Sequence, residues 1–175
     1  PPCRRASDVD VVTHEAGHAL NAYLIADNRF ALELGCGGME TAETHSMSME
    51  FFAWPYLDGF FPKAGDAERY RYQHALDALS FLPYGAMVDE FQHRVYAEPD
   101  LTPAGRNAVW LELEAKYRPY IDQRGIPYLE RGTRWQYQMH IYETPFYYID
   151  YCLAQTAAFQ FLLASQDDYD GAFAR

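Results

Sequence analysis

His14-Glu15-Ala16-Gly17-His18 lies in an uncharged run, with Val11-Val12-Thr13 before it and Ala19-Leu20 after it. Two histidines four residues apart share one side of the chain only if the backbone is α-helical, where they stand about 6 Å apart along the axis. That separation lets both imidazoles reach one Zn²⁺. Glu15 falls about 100° further round such a helix, beside the metal position, where a carboxylate can deprotonate an activated water. The five residues therefore require a helix, and a catalytic metal on it requires a third protein ligand and one open position.

Outward from this stretch the chain breaks into helical segments, and no alternating strand pattern of useful length appears. The first helix is expected from Ser7 or Asp8 to Ala26, with Ser7 and Asp10 in capping-box spacing and Asp27-Asn28 at its exit. Its apolar positions Val12, Ala16, Ala19, Leu20, Tyr23 and Leu24 follow helical spacing. Gly35-Cys36-Gly37-Gly38 lacks the preceding strand of a phosphate loop and reads as a connector. A second helix is expected from Thr41 to Ala53, stopped or kinked by Trp54-Pro55. Others follow over Asp66 to Leu79, Pro83 to Tyr96, Thr102-Pro103 to Tyr117 and Thr144-Pro145 to Ser165, with an irregular stretch from Arg118 to Tyr142. The fold class is all-α, multi-helix, without internal repeats.

The chain has 175 residues, enough for about one domain with its own core. Fourteen basic residues against 25 acidic ones give a net charge of −11, which argues against nucleic acid and an anionic membrane surface as partners. No run of apolar residues is long enough to span a bilayer, and the N-terminus has no signal-peptide pattern. Cys3, Cys36 and Cys152 form neither a disulfide framework nor a cysteine zinc site, so a reducing cytoplasm is the expected location. Aromatic residues reach 17%, including 15 Tyr, and most are expected in a thick core. The chain opens on Pro1-Pro2-Cys3 and ends near Asp170-Gly171, and we expect residues 1–175 to be one segment of a longer protein.

His-Glu-x-x-His on a helix is the zinc-peptidase pattern. Candidates for the third ligand lie in Glu43-Thr44-His45-Ser46-Met47-Ser48-Met49-Glu50. Glu43 and Glu50, seven residues apart, fall within about 20° of each other on a helix and can both face the first one. Together with Pro83-Tyr84-Gly85, Val88-Asp89-Glu90-Phe91-Gln92-His93, His140-Ile141-Tyr142-Glu143 and Phe146-Tyr147-Tyr148-Ile149-Asp150-Tyr151, these residues resemble the oligoendopeptidase F branch of the thimet-oligopeptidase-like zinc metallopeptidases. The resemblance covers nearly the whole chain.

It implies a helical, zincin-type catalytic core, part of a larger peptidase whose channel admits short peptides and excludes folded proteins. By it His14, His18 and Glu43 hold one zinc ion per chain and Glu15 is the general base. Glu50 is then an acceptor for a ligand histidine's other N–H, and Asp10, one turn before His14, is a candidate for the same part. His140, Tyr148 and Tyr151 resemble the family's His and Tyr residues that contact substrate and steady the oxyanion. Where the thimet-like branch has a glycine-rich loop, this chain has Tyr142-Glu143-Thr144-Pro145. No organic cofactor site is indicated, and the sequence leaves oligomeric state open.

Other readings compete. Glu15 and His18 with Glu90 and His93 make two Glu-x-x-His pairs, which with Glu43 and Glu143 would suit a ferritin-like di-iron site. That assignment leaves His14 without a part. A catalytically inert zinc-binding segment is another reading, and Cys152 with His140 as a thiol nucleophile pair is a weaker one. His45 is a candidate substrate contact; His74 carries no assigned role.

Overall fold

The computed structural model describes residues 5–27 and 37–174. Asn28, the connector at Gly35-Cys36 and the opening Pro1-Pro2-Cys3 lie outside them. Among the described residues the regular structure is all helical, as expected, and no helix is long and apolar enough to cross a membrane. The chain divides into two compact units, Pro1–Leu79 with Leu153–Arg175, and Ser80–Cys152.

In the first unit, α1 (Ala6–Asp27) packs along α2 (Met39–Phe52). The face that α1 buries is Val9, Thr13 and Gly17, spaced i, i+4, i+8, and not the expected set from Val12 to Leu24. Val11, Val12, Tyr23 and Leu24 are exposed. Small residues win the contact because a Cβ on Gly17 would come within 2.6 Å of Ser46 Cα and 2.7 Å of the His45 carbonyl oxygen. At the start of α1, Ser7 lies inside the helix, and it is the Asp8 carboxylate, not Asp10, that reaches back, accepting the Arg5 backbone N–H at 3.1 Å.

Helix α2 ends ahead of Pro55, where the chain turns through a 3₁₀ segment, Trp54–Gly59. Leu57, Val9, Ala67 and Tyr70 form one small core there, flanked by Trp54 and Phe61. Further along α2, Phe52 meets the rings of Phe161, Tyr169 and Phe173, and the Tyr169 hydroxyl donates to the Phe52 carbonyl at 2.7 Å.

The two helices expected on either side of Leu79 and Pro83 are one, α3 (Asp66–Ala97). Proline removes one backbone bond and crowds the preceding turn, at about 3 kcal/mol. Buried Tyr70, His74 and Ala78 before it, and Met87, Val88 and Phe91 after it, hold the helix through the defect. In the second unit α4 (Pro103–Tyr117) begins where Thr102-Pro103 predicts, the Thr102 hydroxyl accepting the Gly105 N–H at 3.1 Å. Phe91, Trp110, Leu113 and Trp135 fill this unit's core. The irregular stretch holds two 3₁₀ turns and the short α5 (His140–Glu143).

Helix α6 (Tyr148–Asp167) starts later than Thr144-Pro145 suggests. Phe146 adopts φ +65° and gives its N–H to Gln92 Oε1 at 2.8 Å, which turns the chain before the helix can begin. A last short helix, α7 (Tyr169–Phe173), is capped by Asp168 accepting the Gly171 N–H at 3.0 Å.

Candidate metal centre

Helix α1 carries His14 and His18, α2 carries Glu43, and the bare Gly17 between the histidines lets the two helices close until all three side chains converge. His14 Nε2 lies 3.3 Å and His18 Nε2 3.6 Å from Glu43 Oε2, and one ligand atom from each residue falls within 4.8 Å of the others. Two ligands at about 2.0–2.1 Å from one tetrahedral Zn²⁺ stand about 3.3 Å apart. The donor set, two imidazoles and a carboxylate, also suits zinc. Among the described residues this is the group of metal-ligating side chains that could hold an ion.

Glu43 is buried, where a carboxylate needs partners. The fully buried Ser46 hydroxyl lies 3.1 Å from Glu43 Oε2 and 3.0 Å from the Glu43 carbonyl, one turn further along α2. Hydrogen bonds to Glu43 and then Glu50 outweigh burial at His14 and raise its pKa to about 9. In the metal-free chain a proton thus occupies the place between carboxylates that a cation would take.

Behind His14 stands a second layer. Glu50 accepts from His14 Nδ1 and from His74 Nε2, each at 2.8 Å. Burial pushes the Glu50 carboxyl up, but the bonds to the two histidines more than offset it and the net shift is downward. His74 Nδ1 in turn accepts the Trp54 indole N–H at 2.9 Å. Asp10 accepts the Tyr70 hydroxyl, and Tyr70 stacks on His74 with ring centres 5.6 Å apart. The structure therefore places Glu50 on His14, and Asp10 on Tyr70 rather than on a ligand histidine. Burial raises the Asp10 pKa.

Glu15 is exposed on α1. His45 lines an apolar cavity of about 590 Å³ with Gly17, Leu20, Met49, Phe161 and Phe173; burial, then the neighbouring His18, lowers its pKa.

In the second unit His140, Tyr148 and Tyr151 form their own cluster. Ring centres lie 5.0 Å apart for His140 and Tyr148, 5.8 Å for His140 and Tyr151, and 5.5 Å for the two tyrosines. Tyr84 donates to Gln138 Oε1 at 2.9 Å, and Gln138 Nε2 lies 2.8 Å from His140 Nδ1, an order that leaves the His140 proton on Nε2. Burial raises the Tyr148 pKa, so its phenol keeps its proton at neutral pH.

Two of the residues that a di-iron site would need have other neighbours. Lys116 and Tyr117 bind the Glu90 carboxylate, and His93 is exposed beside Asp89 and Phe146. Sequence reasoning gave His74 no role and passed over Trp54, Tyr70 and the hydroxyl of Ser46. A signal for His74 existed: it shares a stripe with Ala67, Tyr70 and Ala78, and a polar ring on a buried face requires a partner.

No curated protein and no solved structure matches the chain. The profile of Peptidase family M3 matches residues 1–172, a span that takes in both helices of the candidate metal centre and all three of its converging side chains, so the chain belongs to that family of zinc metallopeptidases.

Proposed function

We propose that the chain is the catalytic segment of an oligoendopeptidase F-like enzyme that hydrolyses short peptides, with His14, His18 and Glu43 holding one zinc ion. The observation that carries the reading is the approach of His14 Nε2 and His18 Nε2 to one oxygen of Glu43 at 3.3 and 3.6 Å. When bound, zinc supplies a Lewis acid that polarises the scissile carbonyl and makes a water acidic enough to attack at neutral pH. Glu15, exposed on the same helix, takes that water's proton on its carboxylate and passes it to the leaving amine.

Glu50 holds the His14 ring through Nδ1 and keeps Nε2 directed at the ligand cluster. His140, with its proton on Nε2, and the phenols of Tyr148 and Tyr151 are assigned as donors to the oxyanion. That part rests on the family resemblance and on their donor chemistry.

Glu15→Gln tests the reading. The variant should bind one zinc ion per chain by metal analysis while losing about 10²–10⁴-fold in cleavage of a quenched-fluorescence peptide. Cleavage by the variant at the parent rate would overturn the mechanism. An unaltered chain that gives no zinc-dependent cleavage at any concentration would instead establish an inert zinc-binding segment.

A further inference from the structure

Trp54 and His74 stand outside the ligand set, yet their hydrogen bonds allow one direction only. An indole N–H donates and cannot accept. With Trp54 Nε1 2.9 Å from His74 Nδ1, that nitrogen must offer its lone pair, so the His74 proton resides on Nε2. His74 Nε2 then donates to Glu50 Oε2 at 2.8 Å, and the other oxygen, Oε1, accepts from His14 Nδ1 at 2.8 Å. His14 is left with Nε2, the nitrogen 3.3 Å from Glu43, for a metal.

We propose that Trp54 and His74 are positioning residues that, through Glu50, fix which nitrogen of His14 is offered to zinc. The function of this relay rests on the zinc-peptidase reading; its hydrogen-bond order does not.

Packing leaves the relay little freedom. The His74 ring is 7% exposed, lies 4.8 Å from the Phe51 ring centre and stacks on Tyr70, whose hydroxyl is held by Asp10. Trp54 is set by the break at Pro55, and Arg71 Nη2 donates to its carbonyl at 2.9 Å. Any rotation of Glu50 away from His74 would strand a buried N–H without its acceptor.

Nitrogen-15 NMR of the histidine rings in the metal-free chain reads the order directly. His74 should carry its proton on Nε2 alone; a proton on Nδ1 overturns the proposal. Trp54→Phe keeps an aromatic ring and removes only the donor, so the His74 ring loses its anchor at Nδ1 and is held by Glu50 alone, and zinc affinity, by chelator competition, should fall about tenfold. His74→Phe removes both hydrogen bonds and should cost up to about 100-fold. His74→Gln, able to accept from Trp54 and donate to Glu50, should recover most of that loss, which a purely space-filling role would not allow.

Parent-like zinc affinity in both Trp54→Phe and His74→Phe overturns the proposal. If His74→Phe does not fold by circular dichroism, Trp54→Phe and the tautomer of the unaltered chain decide it. An unaltered chain that binds no zinc defeats the peptidase reading, and the His74 tautomer still decides the hydrogen-bond order.

Discussion

His14 Nδ1 and Glu50 Oε1 meet at 2.8 Å across 36 residues of sequence, the outer of two carboxylate contacts that hold one imidazole between α1 and α2. On the ring's other side Nε2 faces Glu43 at 3.3 Å. A histidine between two carboxylates serves two cations in turn, a proton or a metal, and the competition between them sets how the site responds to pH.

In the metal-free chain, the hydrogen bonds to Glu43 and Glu50 raise the His14 pKa from 6.5 to about 9. A raised histidine pKa contributes stability that is fully present below pH 6.5 and is lost as pH climbs through about 9. Glu50, shifted downward, contributes stability above its ordinary 4.5 and loses it as pH falls through its lower folded value. Thermal melts with a chelator present should therefore show Tm falling between pH 6.5 and 9. Zinc must expel the His14 proton, so its apparent affinity should rise over the same interval, by about tenfold per pH unit for one proton displaced. A chelated protein with a flat Tm there would mean that His14 is not held between the two carboxylates.

Gly17 permits the close crossing of α1 and α2, and its replacement should loosen the metal centre without touching a ligand. A methyl group there would stand 2.6 Å from Ser46 Cα and 2.7 Å from the His45 carbonyl oxygen, both backbone atoms with little room to yield. Overpacking of this kind costs about 1–3 kcal/mol, more than the helix-propensity gain of about 1 kcal/mol for alanine over glycine. Gly17→Ala should lower Tm and weaken zinc binding together, because the separated helices carry His14, His18 and Glu43 apart. A variant with raised Tm and unchanged zinc affinity would show that the helices are not locked at this contact.

Much of the centre was legible because its parts are local. The i, i+4 histidines and the seven-residue spacing of Glu43 and Glu50 are each periodic on one helix, and Thr102-Pro103 caps α4 where expected. What escaped depends on partners distant in sequence. His74 meets Glu50 across 24 residues and Trp54 across 20, pairings that no single helical period contains. The buried face of α1 escaped for another reason: hydrophobicity marks Val12 and Leu24, whereas the crossing selects for small size at Thr13 and Gly17. Pro83 and Thr144-Pro145 misled because proline fixes local geometry, while the packing of α3 and the turn at Phe146 set the actual boundaries.

The thiol of Cys152 provides a test between metal and cysteine chemistry. It is buried, its Sγ packs where a Cβ on Gly85 would stand only 2.2 Å away, and it lies 3.7 Å from the Leu82 carbonyl oxygen. Burial, and then the charge of Asp89, push its pKa up to about 11. At neutral pH about one molecule in 10⁴ then carries a thiolate, the form that attacks carbonyls and alkylating reagents. Iodoacetamide with the folded chain should leave Cys152 unmodified, read residue by residue by mass spectrometry, and modify it once the chain is unfolded. Cys152→Ala should retain peptide cleavage within about twofold of the parent, since the proposed general base, Glu15, and the proposed ligands His14, His18 and Glu43 remain intact. Rapid modification of Cys152 in the folded chain, with matching loss of cleavage, would return the cysteine to the active site and remove zinc hydrolysis as the sole chemistry of the fold.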